Sequence, residues 1–182
     1  MAELVPDSIP TSPTPAGGAL GLLNRIITAW GLAGGLVFCV LVLMSIVSIV
    51  GRKLFDAPIQ GDMELLQMGS AIGAAAFLPL CELHDHHIKV DALTTWMSTR
   101  GRAVLDTVAH ALLLIVALLL VWRTGLYTIE AKENMEVSTL LLVPLWWPVL
   151  LLVPSFVLLA LAALHRSVSA LKIALGVSGG AA

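Results

Sequence analysis

Five histidines are the residues of this chain best suited to chemistry, and three of them stand together. His84, His86 and His87, with Glu82 and Asp85, bring imidazole and carboxylate groups into one short stretch, and these are ligand types that hold divalent metals. A metal centre would need a second group of ligands elsewhere in the chain, and none follows. The same residues suit a solvated helix end, which is the preferred reading. His110 and His165 invite a different chemistry, since a haem in a helix bundle takes axial ligands from two facing helices. Both fall toward the same membrane face in the topology below, but no motif supports the pair. No nucleophile elbow, phosphate loop or dinucleotide fingerprint occurs, so no enzyme and no cofactor is expected. A redox or metal protein using the histidines stays as the alternative reading.

The elements that must carry these residues are four apolar runs, at 29–50, 63–81, 103–122 and 140–164. About 20 apolar residues at 1.5 Å each cover the roughly 30 Å hydrocarbon core of a bilayer. The first run has 22 residues without a charge. Apolar residues make up 58% of the 182-residue chain and charged ones 12%, too few to coat four helices in water. The expected fold is therefore all-α and polytopic, with four transmembrane helices. The near-neutral charge argues against a nucleic-acid partner, whereas the lipid bilayer is an obligatory one.

Residues 1–18, rich in Pro, Ser, Thr and Gly, read as a disordered tail. They lack the basic start of a secretory signal. The membrane domain is expected over 19–166, with a short C-terminal tail at 167–182. Lys and Arg near the span ends divide six to four in favour of the side holding both termini, which predicts cytoplasmic termini. The outer loops then hold Asp56, Asp62, Glu64, Glu130, Glu133 and Glu136. Pro58 and Gly61 mark a turn, after which Asp62 is placed to cap the second helix, with Glu64 in its first turn. Between spans two and three, Val90, Leu93, Trp96 and Met97 recur at helical spacing within 88–102, which predicts a short interfacial helix.

Packing signals are small residues. Gly31 and Gly35 form one GxxxG, Gly69 and Gly73 another, and such spacing lets helices approach closely in lipid, within one chain or between subunits. Cys39 and Cys81 lie inside spans and read as packing residues, with a disulfide between them as the alternative. Asp106 is expected in the first turn of span three, and no ionisable group is expected to be buried in the spans. Pro144, Pro148 and Pro154 are expected to bend span four. Transport sites on broken helices come in repeated pairs, and no repeat occurs here, so the chain is not expected to translocate a solute unaided. A stand-alone carrier or channel is the third class.

The order GRKLFDAPIQGDMELL, GSAIGAAAFLPL, HHIKVDAL and STRGRAVLD resembles the small permease subunit of tripartite ATP-independent periplasmic (TRAP) transporters, the DctQ type, over about 30–166. The residues that carry the resemblance are Asp62 and Glu64, the motif His87, Ile88, Val90 and Asp91, and Pro144, Trp146, Trp147 and Pro154 in a run beginning at Ser138. Pro148 departs from the pattern, as does Ser155 where glycine is usual. The resemblance implies a subunit of the bacterial inner membrane whose partners are a large permease subunit and a periplasmic substrate-binding protein. It implies a fixed scaffold in organic acid uptake, with no solute site of its own.

Overall fold

The computed structural model describes residues 19–57, 59–83 and 99–174. They form four helices: α1 (Ala19–Phe55), α2 (Asp62–Leu83), α3 (Thr99–Glu133) and α4 (Trp146–Ala174). All four are long and apolar enough to cross a membrane. Residues 1–18 and the stretch 84–98, with His84, His86, His87, Ile88, Val90 and Asp91, lie outside the described residues. The expected interfacial helix therefore falls almost entirely outside them, and 99–102 belong to the start of α3.

The helices outrun the apolar runs that announce them. At 1.5 Å per residue the 37-residue α1 extends about 55 Å and the 35-residue α3 about 52 Å, while the 22-residue α2 spans about 33 Å. Polar sequence outside the hydrocarbon stays helical because nothing breaks it. Arg52 and Lys53 in the last turn of α1 complement its dipole. Asp56 then takes a left-handed conformation (φ 52°), and the Ala57 N–H returns to the Gly51 carbonyl at 3.2 Å. Gly61 supplies a positive φ of 73° just before α2.

The fourth span corrects the sequence reading. It begins at Trp146, so 140–145 is loop despite being apolar. α3 ends in a Schellman-type cap, with Met135 left-handed and the Glu136 N–H on the Ala131 carbonyl at 3.0 Å. The chain then folds back on itself: Ser138 N–H donates to the Val143 carbonyl at 2.9 Å, Leu145 N–H to the Glu136 carbonyl at 3.0 Å, and Leu142 is left-handed. Pro144 lies in this loop and bends no helix. Pro148 sits in the first turn of α4, where a missing N–H costs nothing, and only Pro154 is interior. α2 has an interior proline of its own, the buried Pro79.

Packing follows a row. α1 lies on α2, α2 on α4 and α4 on α3, with no comparable contact between the other pairs among the described residues. The α3–α4 seam centres on Ala117, Leu159 and Ala160, with Leu113 and Leu114 against them. Elsewhere the helices turn large apolar side chains outward, among them Leu36, Leu43 and Val47 on α1 and Leu112, Leu119 and Trp122 on α3. Such faces are stable only against lipid or another apolar protein surface.

Candidate functional site

The α1–α2 seam is made of missing side chains. A Cβ on Gly34 would stand 2.7 Å from that of Ala76, one on Gly73 2.7 Å from the Phe38 ring, one on Gly69 2.8 Å from Leu41 and one on Gly31 3.0 Å from Leu80. At Gly35 the nearest neighbour, Phe77, is at an ordinary 3.5 Å. The glycine pairs thus meet residues of the same chain. Gly34 stands out only in the structure, because it lies off the GxxxG spacing that drew attention to Gly31 and Gly35. Phe38 and Phe77 stack across the seam with centroids 6.1 Å apart. Cys39 and Cys81 are free thiols.

Polar bonds add ties between helices, one of them across the row. The Trp30 indole N–H donates to the Ser155 hydroxyl at 2.9 Å and so links α1 to α4. Ser155 is fully buried, and a glycine there would leave the indole N–H without this acceptor.

At the end of the bundle where α2 begins, both acids of its first turn are engaged. Asp62 accepts from the Ser48 hydroxyl at 2.5 Å and from the Met63 N–H at 2.8 Å, with Arg52 at 3.4 Å. Glu64 reaches across to the loop before α4, where its two oxygens accept the Leu140 and Leu141 N–H groups at 2.8 and 3.1 Å. The loop carries no regular ladder that could satisfy those donors, so one carboxylate fixes both. Under the loop, the first turns of α2 and α4 enclose a cleft of about 320 Å³ lined by Gln67, Met68, Ala71, Pro148, Val149 and Leu152 among others. Nearby, Lys132 Nζ lies 5.4 Å from the centre of the Trp146 ring and Tyr127 donates to Glu136 at 3.2 Å. Trp147 is exposed and Pro154 half-buried in α4.

The opposite end overturns one expectation outright. Glu82, assigned above to a solvated group with the neighbouring histidines, is fully buried, and its Oε1 lies 2.6 Å from Nδ1 of His110, itself 8% exposed. Two ionisable side chains are therefore buried within the spans. Hydropathy pointed the wrong way because Glu82 sits at the end of an apolar run, where a solvated terminus is the usual outcome; its partner lies 28 residues on. A hint was present: Glu64 and Glu82 are 18 residues apart, five turns of an α-helix, and so share a face. His110 is bonded to Glu82, and the Nδ1 of His165, also buried, has no hydrogen-bond partner among the described residues. No group of three His, Cys, Asp or Glu side chains gathers as metal ligands among the described residues.

Comparison with known proteins gives one match. Residues 41–173, well over half of the chain, fit the family described as tripartite ATP-independent periplasmic transporters, DctQ component. No curated protein and no solved structure matches.

Proposed function

Because the chain belongs to the DctQ family of TRAP transporter components, we propose that it is the small membrane subunit of such a system and acts as a fixed scaffold for a large permease subunit, which takes up an organic acid delivered by a periplasmic binding protein. The family match over 41–173 carries this reading. The fold supports it in a specific way: the helices form a row, and a row offers two broad apolar flanks where a closed bundle would offer less. The described seams are apolar or internally bonded, which suits a part that holds its shape. The competing redox or metal reading gains no observation from the arrangement of His110 and Glu82.

The proposed setting is the bacterial inner membrane with both termini cytoplasmic, in keeping with the basic-residue bias. Cysteines at Ser12 and Ser178 should then resist a membrane-impermeant thiol reagent in intact cells, and labelling of either from outside would reverse the orientation. For the function itself, proteoliposomes holding the large subunit, the binding protein and an ion gradient should take up little solute until this chain is added. Full uptake without it would refute the scaffold role.

A further inference from the structure

We propose that Glu82 and His110 form a register lock, in which one hydrogen bond, rather than apolar packing, sets where α3 stands against α2. Both side chains are buried and 2.6 Å apart, yet α2 and α3 do not pack on each other along their length as α3 does on α4. The bond therefore joins two helices that apolar contact leaves apart. It also has a counterpart. Glu64 and Glu82 lie on one face of α2, about 27 Å apart, and both grip the α3–α4 hairpin: Glu64 through the N–H groups of Leu140 and Leu141, Glu82 through His110.

The physical need for such a lock comes from the solvent. Lipid tails are as apolar as leucine, so apolar side chains alone discriminate weakly between helix faces in a membrane. The outward face of α3 carries Leu112, Ile115 and Leu119, which would sit almost as well against a neighbour as against lipid. A buried carboxylate is different, because turning α3 by one residue would take the imidazole out of bonding range and lose a directed bond in a low-dielectric interior. A single buried polar pair selecting one register is the best-attested use of such groups. Pro79, one turn before Glu82 in α2, removes a backbone donor there and makes the helix locally adaptable to the bond. Glu82 and His110 are positioning residues: they shape the scaffold and touch no solute.

The test reads register in this chain alone and function in the assembled transporter. Only the second readout rests on the function proposed above, so the two fail separately. In a Cys39→Ala, Cys81→Ala background, spin labels at Leu78→Cys and Ile115→Cys report the α2–α3 distance in lipid nanodiscs. The parent and Glu82→Gln, which keeps an acceptor for Nδ1–H, should both give one narrow distance and full uptake. Glu82→Leu with His110→Leu should remain helical but give a broadened or shifted distance and several-fold lower uptake. Reciprocal exchange, Glu82→His with His110→Glu, should narrow the distance again, and it decides between lock and no lock should the leucine pair fail to insert. A parent-like distance in the leucine pair would overturn the lock, as would a broad distance in the exchanged pair. Loss of uptake in Glu82→Gln at an unchanged distance would overturn it too, since the pair would then be acting chemically.

Discussion

The two flanks of α2 solve one problem by opposite means. Toward α1, four glycines strip the seam of side chains until backbone and rings touch; toward α3 and α4, two carboxylates reach across to donors on the neighbouring hairpin. The first depends on shape, tolerates no added atom at its tightest points and is indifferent to polarity. The second tolerates a gap between helices but not the loss of an acceptor. In lipid, where apolarity alone holds no two helices together, a row of helices needs both: close contact where small residues permit it, and directed bonds where they do not.

The largest effect is expected on the glycine side. Gly73→Leu would drive a side chain into the Phe38 ring, already 2.7 Å from a Cβ at that position, and should cost on the order of 1–3 kcal/mol or part α1 from α2. Thermal unfolding in detergent would show it as a clear fall in midpoint. Gly35→Ala, whose added Cβ would meet Phe77 at an ordinary 3.5 Å, should leave the midpoint near the parent's; equal damage at both positions would mean that shape is not what joins this seam.

On the carboxylate side, Glu64→Ala should release the loop before α4 without disturbing α1. Amide exchange at Leu140 and Leu141 would quicken strongly, while Glu64→Gln, which keeps one acceptor oxygen, should give an intermediate rate. Unchanged exchange in Glu64→Ala would show that the loop is held by its own backbone bonds alone.

The smallest effect belongs to the bond that crosses the row. Ser155→Gly removes the acceptor for Trp30, a loss of about 0.6 kcal/mol by the average for interhelical hydrogen bonds in membranes. A modest fall in midpoint that vanishes in a Trp30→Phe background would assign the effect to this bond.

Where the sequence misleads, composition and conformation part company. Residues 140–145 are as apolar as the helix that follows, so hydropathy extends the fourth span over them. Backbone chemistry ends it instead, with Pro144 in the way, Leu142 left-handed and Glu64 holding the amides of Leu140 and Leu141. Glu82 misleads in the other sense, being a charge-bearing residue among polar neighbours that the fold buries completely. Gly34 shows the limit of motif spacing, since the helix face that meets Ala76 is fixed by the neighbour and not by the interval between glycines.

The sequence by itself determined the number of spans, the membrane as solvent and the family, because each rests on composition or on residue order along the chain, and both survive without knowledge of any contact. The tertiary structure decided the order of the row, the partners of Glu64 and Glu82, the tie from Trp30 to Ser155 and the true start of α4. These depend on which residues distant in sequence come within bonding range. Hydropathy places a helix in the bilayer but does not say what it faces; that is fixed only when the neighbouring helices supply the donors, acceptors and empty space that each face requires.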